Sequence, residues 1–271
     1  MSASRASFRD FLFLRAIRAT LVLSTLLFLA LAGCTRGGVR PVDVEWKDAR
    51  QMVLVTTADW NANQGTMRTF VRDGDAWRAA SAAQPVMIGR AGSAWGLGLH
   101  APQPGPAKRE GDGRAPAGVF RIGTAFGYAA NAGTALPYAA MRESSWCIDV
   151  PASPLYNRIV DAEVVGAAAI EGSTEPMRRD LHADGDRRYK LGFVIEHNAQ
   201  ARPDAGSCIF AHLWKAPGEA TAGCTAMEEP AMRDLLAWLD GRQKPVFVLL
   251  PQKEYERLKT TWRLPDISVP M

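Results

Sequence analysis

At 271 residues the chain is long enough for one large domain or two small ones. Its 47% hydrophobic and 22% charged residues make it ordinary globular material. The net charge of +4 gathers at the start, where Arg5, Arg9, Arg15 and Arg18 stand against Asp10 alone before residue 34. The rest is close to neutral, so charge gives no reason to expect a nucleic-acid partner.

The first segment reads as an export signal. A basic stretch precedes the apolar run from Leu21 to Ala32. That run is shorter than the roughly 20 residues a spanning helix needs and has the size of a signal's apolar region. It ends in Leu31-Ala32-Gly33-Cys34, which resembles the lipobox of bacterial lipoproteins. The resemblance implies cleavage after residue 33, lipidation of Cys34 and anchoring to a membrane in the cell envelope. Thr35 follows, rather than the Asp that often retains lipoproteins in an inner membrane, so the expected place is the outer membrane, facing the periplasm. The alternative is an uncleaved anchor that merely contains a cysteine. Residues 34–50, with Gly37, Gly38 and Pro41 and no periodic pattern, are expected to be a tether.

The folded body is expected over 51–251, with 252–271 as a C-terminal extension. Residues 52–57 form a β-type run, and 66–72 alternate before the turn Asp73-Gly74-Asp75, which predicts a hairpin. Strands are expected at 85–89, 118–122, 145–150, 191–196, 207–212 and 245–250, and the glycine-punctuated stretch 92–98 reads as irregular. Two helices are expected. One covers 161–171, with Asp161 as N-cap. The other covers 230–241, with Glu228 and Glu229 at its positive end, Pro230 in the first turn and Gly241 as the stop. Many short strands and few helices predict one mainly-β domain.

The chemistry concentrates in Ala205–Met227. The apolar run Cys208-Ile209-Phe210 leads to His212, a loop with Pro217 and Gly218 follows, and Thr221-Ala222-Gly223-Cys224 places a cysteine twelve residues after the histidine. A cysteine attacks as its thiolate, and a neighbouring imidazole is a common means of lowering its pKa. With Cys34 lipidated, Cys147, Cys208 and Cys224 remain, an odd number. The economical pairing is a Cys147–Cys208 disulfide with Cys224 free, which an oxidising compartment permits. Two buried unpaired thiols are the equally open alternative.

The order strand, His212, loop, Gly223-Cys224, helix resembles the L,D-transpeptidase catalytic (YkuD-type) domain. A second stretch, Lys108-Arg109-Glu110-Gly111-Asp112-Gly113-Arg114-Ala115-Pro116-Ala117-Gly118-Val119-Phe120, is similar to that family's K-x-E-G-D-G-x-T-P-x-G-x-F segment. The resemblance covers nearly all of the expected body and implies a β-sandwich with a few short helices. It also implies acyl transfer on peptidoglycan stem peptides, with Cys224 as nucleophile, His212 as base and the Gly223-Cys224 turn as a source of oxyanion-stabilising N–H groups. Thr221, Arg114 and His197 are candidate substrate-binding residues, with a structural role the leading reading for His197. No cofactor and no metal are expected, and a monomer is. His197, Cys208, His212 and Cys224 lack the short spacings of a metal site, and Cys208 and His212 would lie roughly 13 Å apart along a strand.

The departures point to a divergent branch. Ala222 stands where the family often has His, and Ala226 where it often has Arg or Asn. Two further readings follow: a peptidase or amidase that uses water as acceptor, and a wall-binding module without catalysis.

Overall fold

Fourteen strands and four short α-helices follow one another along residues 44–268, which a computed structural model describes. Cys34 and the signal segment lie outside the described residues. The strands are β1 (Gln51–Thr57), β2 (Gln64–Asp73), β3 (Ala76–Ala79), β4 (Gln84–Met87), β5 (Ser93–Trp95), β6 (Ala115–Gly127), β7 (Tyr138–Ala140), β8 (Ser145–Cys147), β9 (Ile159–Asp161), β10 (Glu175–Pro176), β11 (Leu191–Ile195), β12 (Phe210–Leu213), β13 (Thr225–Met227) and β14 (Val246–Pro251). The helices are α1 (Ala162–Val165), α2 (Arg179–His182), α3 (Glu229–Trp238) and α4 (Gln252–Leu258).

The main sheet runs β1-β14-β6-β11-β12-β13-β4-β2, and β2 pairs back onto β1, so these eight strands form a closed circuit. Two neighbours in it are parallel, β1 with β14 and β12 with β13. β1 and β14 are buried at every position, as the apolar runs Met52-Val53-Leu54-Val55 and Val246-Phe247-Val248-Leu249-Leu250 require when both faces are covered. The mainly-β class is as expected, but β6 is longer than the short strand read from its sequence. Its first half pairs with β14 and its second half with β11. Ser93–Trp95, read as irregular, pairs parallel with the start of β6.

α3 buries Ala231, Met232, Leu235 and Leu236 against the main core. It ends at Trp238, before the expected Gly241 stop, because Leu239 turns extended and inserts fully buried into the core. The expected helix at 161–171 is split. Asp161 does cap α1, accepting from Glu163 N–H at 3.0 Å, but Gly166 breaks it and a 3-10 turn follows at Ala167–Ile170.

The limits of the body also differ from expectation. Val44, Trp46 and Ala49 are buried in the main core, and Trp46 meets Trp262 edge to face at 5.4 Å, so 44–50 is part of the fold and not tether. Tyr255, Leu258, Trp262 and Leu264 are buried in that core too, which makes the C-terminal segment structural.

After β7, which pairs parallel with β6, the chain leaves the main sheet until β11. It builds a second sheet in the order β10-β8-β9, together with α1 and α2. Met141, Cys147, Met177 and Tyr189 from this excursion pack with Phe126, Cys208, Phe210 and Cys224 in a second apolar cluster. The excursion thus covers the face of β12 that points away from the main core. A Cys147–Cys208 disulfide, Cα–Cα 6.0 Å, ties the cover to the segment entering β12. Asn157 adds to the link: its Oδ1 accepts from Cys208 N–H and its Nδ2 donates to the His197 and Asn198 carbonyls.

Candidate active site

β12 has a two-residue side-chain period, so it sends Ala211 and Leu213 into the main core and Phe210 and His212 to the covered face. β13 runs parallel to it in the register Ala211–Thr225 and His212–Ala226. Cys224, one residue before β13, therefore comes level with Phe210, whose N–H donates to Cys224 Sγ at 3.3 Å. Cys224 packs in the same cluster as Phe210 and Tyr189. His212 and Cys224 are thus diagonal neighbours on one face. Diagonal neighbours stand roughly 7 Å apart at Cβ, within reach of an imidazole. Gly192 and Ala226, directly opposite His212 on its two flanking strands, crowd the ring from neither side.

The imidazole is held on two sides. His212 Nδ1 donates to the Leu213 carbonyl at 2.7 Å, which leaves Nε2 as the lone-pair nitrogen of the neutral ring. The Tyr189 ring meets it at 5.1 Å and 72°. The Tyr189 hydroxyl donates to Glu175 Oε1 at 2.8 Å, and Arg179 Nη1 reaches the same oxygen at 3.2 Å. Arg179 and Arg188 also share Asp186, at 2.9 and 2.8 Å. Burial opposes ionisation of Asp186, yet the Arg188 and Arg179 hydrogen bonds hold it well below the usual carboxylate range.

Burial sets the protonation of the candidate pair. It pushes the Cys224 thiol up to about 12, with the Glu175 charge adding to the rise. It pushes His212 down to about 4 against the Leu213 hydrogen bond. At neutral pH the pair rests as thiol and neutral imidazole. Desolvation sets the thiol's pKa, and the expected lowering by His212 is not among its causes.

Other candidate residues serve the scaffold. Thr221 is buried, and its hydroxyl donates to the Cys224 carbonyl at 2.7 Å while accepting from Gly223 N–H at 3.1 Å. It shapes the turn, and the Gly223 N–H expected to face an oxyanion is engaged by it. A side chain at Gly223 would come within 3.0 Å of the Arg114 carbonyl, so the turn needs glycine for close approach. The Arg114 guanidinium binds the Trp60 and Ser93 carbonyls, both at 2.9 Å, and Asn61 Oδ1 at 3.0 Å. His197 is 2% exposed. Its Nδ1 accepts from Leu97 N–H at 3.1 Å and its Nε2 donates to the Ala205 carbonyl at 2.9 Å.

The Lys108–Phe120 stretch explains itself as a latch. Asp112 accepts from Lys108 Nζ, Arg109 N–H and Arg114 N–H. Glu110 Oε2 takes the hydroxyls of Ser207, at 2.7 Å, and of Tyr156 from the cover. The latch therefore joins the loop before β6, the lead into β12 and the cover.

The family profile for the L,D-transpeptidase catalytic domain (YkuD) matches residues 56–248, most of the chain. The protein belongs to the L,D-transpeptidase catalytic domain family. No curated protein and no solved structure matches the chain. The match spans the latch, His212 and Cys224, and runs from the end of β1 into β14.

Two cavities of this L,D-transpeptidase-family domain are lined by residues near His212 in β12, Leu213 for one and Phe210 for the other, and neither is lined by Cys224 or His212 itself. Past Leu213, a cavity of about 670 Å³ is lined by Arg179, Asp186, Arg188, Trp214, Lys215 and Glu229. On the Phe210 side, one of about 350 Å³ is lined mainly by apolar side chains of the sheet and the cover. Tyr189, Glu175, Arg179 and Arg188 were not anticipated from the sequence. The arginine-acid runs at 178–180 and 186–188 were the available signal. Among the described residues no group of three or more His, Cys, Asp or Glu side chains is placed to hold a metal ion.

Proposed function

We propose that the protein is a cysteine acyltransferase acting on peptidoglycan stem peptides, anchored to the outer membrane through Cys34 and facing the periplasm. The observation that carries this reading is the parallel β12–β13 register, which sets His212 and Cys224 on one covered face. Family membership gives the reaction class its support.

With a neutral thiol and neutral imidazole at rest, the nucleophile forms as it attacks. His212 Nε2 takes the Cys224 proton while Sγ adds to the peptide carbonyl. The imidazolium then gives that proton to the departing amine of the D-amino acid, leaving a thioester. An incoming amine loses its proton to His212 and attacks the thioester, which restores the thiol and makes the new amide. The Leu213 carbonyl keeps Nε2 as the transferring nitrogen through both halves.

Water in place of the amine would make the same site a peptidase. Product analysis separates the two. Incubation with a stem tetrapeptide and an excess of a free amine acceptor should give exchanged amide product. Shortened peptide alone would establish hydrolysis. The wall-binding reading is favoured if the peptide is retained unchanged.

A further inference from the structure

Positive charge gathers where β1 and β14 begin. A cavity of about 460 Å³ there is lined by six cations, Lys47, Arg50, Arg72, Arg242, Lys244 and Arg263, against two acids, Asp48 and Asp75. The chain after residue 34 is close to neutral, so this excess is local. Four segments far apart in sequence build it: the lead into β1, the β2–β3 hairpin, the turn before β14 and the segment after α4. Lys244 has a counter-charge in Asp48 at 3.3 Å, and Arg242 has one in Asp240 at 2.7 Å. Arg50, Arg72 and Arg263 have no ion-pair partner among the described residues.

Main-chain and ring contacts bring these three arginines together. Arg72 N–H donates to the Arg50 carbonyl at 2.8 Å, and the Trp77 indole N–H donates to the Arg263 carbonyl at 2.9 Å. The Arg72 guanidinium lies over the Trp77 ring at 4.2 Å, and its Nε and Nη1 reach the Ala49 and Asp75 carbonyls at 3.4 and 3.5 Å. Its Nη2 is left for another acceptor. Burial holds Arg72 below its ordinary value, and the charges of Arg263 and Arg50 add to the lowering against Asp75. Three like charges around one cavity repel one another, and an anion between them relieves that repulsion. Guanidinium forks suit the paired oxygens of a phosphate.

The position of the cavity says which phosphate. Val44, where the described chain begins, is part of its lining. Val44 stands ten positions after Cys34, a stretch that spans at most about 35 Å. Anchoring through Cys34 would keep the cavity within that reach of a lipid surface, where anionic headgroups carry phosphates and attract clustered arginines. A basic patch beside a lipid anchor is the second signal that makes membrane attachment firm. In the sheet order β6 and β11 separate β14 from β12, so the cavity is distinct from the Cys224 face.

We propose that this cavity binds the phosphate of an anionic phospholipid headgroup through Arg50, Arg72 and Arg263, and so docks the body on the membrane that carries its anchor. The proposal rests on the anchoring reading for the nearness of the membrane and is independent of the acyl-transfer reading.

The test maps arginine modification by phenylglyoxal in the full chain, peptide by peptide, with the protein on vesicles of phosphatidylcholine alone or with added phosphatidylglycerol. The anchor holds the chain to both, so only the headgroup differs. Arg50, Arg72 and Arg263 should react about tenfold more slowly on the anionic vesicles, and about 1 M NaCl should abolish the difference. Arg158, exposed on the cover, should react alike on both. In Arg50→Gln/Arg263→Gln the protection of Arg72 should be lost while the unfolding midpoint matches the parent's. Equal reaction of the three arginines on both vesicles, or an equal slowing at Arg158, overturns the site. Protection by inorganic phosphate on neutral vesicles, without protection by phosphatidylglycerol, overturns the lipid as occupant. A chain that fails to float with neutral vesicles yet is protected by anionic ones supports the cavity and overturns the anchor.

Discussion

Cys224 and His212 are individually unremarkable: a buried thiol and a buried histidine. Their pairing comes from a register, and their protonation from burial. A thiol pushed up to about 12 is almost wholly protonated at neutral pH, so Cys224 should react slowly with iodoacetamide at pH 7 and about tenfold faster for each pH unit above that, with no plateau near 9. A reactivity plateau already reached near neutral pH would reveal a preformed thiolate–imidazolium pair instead. Replacing His212 with Ala should slow acylation by roughly a hundredfold or more, the ordinary range for a general base. Unchanged acylation would remove His212 from the mechanism. The sequence revealed these two residues because histidine, glycine and cysteine sit in a recognisable order. It gave no sign of the bonds that Thr221 and Arg114 make, to the turn itself and to the distant residues Trp60, Asn61 and Ser93. Side-chain partners so far away in the chain leave no local trace.

Among the elements, the cover decides how accessible the thiol is. It is sewn to the sheet by the Cys147–Cys208 disulfide, by Asn157 and by the Tyr156–Glu110 bond. The disulfide closes a loop of sequence separation 61, for which chain entropy alone gives about 4 kcal/mol. Its removal in Cys147→Ala/Cys208→Ala should lower the thermal midpoint and raise the rate of Cys224 alkylation together. A lower midpoint with unchanged alkylation would show that the cover does not control access. Strands with alternating or unbroken apolar sequence, such as β1, β2 and β14, were legible without the fold. The cover was legible only in part, at β8 and at the Asp161 cap: its strands are two or three residues long, and no periodicity survives at that length to show β9 or β10. The catalytic neighbours it carries, Tyr189, Glu175, Arg179 and Arg188, stayed hidden with it.

For the whole molecule, stability and acid sensitivity are linked through buried histidines. His197 and His212 are held near 4 in the fold and return to about 6.5 when unfolded. Below about pH 6.5 the unfolded chain binds protons that the native chain refuses, so stability falls as pH drops from there toward 4 and levels off below. Each histidine contributes on the order of 3 kcal/mol to that loss. Urea midpoints should therefore decline between pH 7 and pH 4.5, and His197→Gln should flatten the decline. A midpoint that holds steady over this range would contradict the buried, neutral assignment. The closed sheet also needs its ends. A chain stopped after Pro251 loses Tyr255, Leu258, Trp262 and Leu264 from the core and should fail to unfold cooperatively, as read by calorimetry.

The most direct measurement is the intact mass of the protein after incubation with purified muropeptides, alongside Cys224→Ala. The account predicts an acyl adduct on the wild-type chain only, discharged by added amine with formation of new amide product. Product formation that persists in Cys224→Ala, or a reduced wild-type thiol that gains no adduct from any muropeptide, would contradict it.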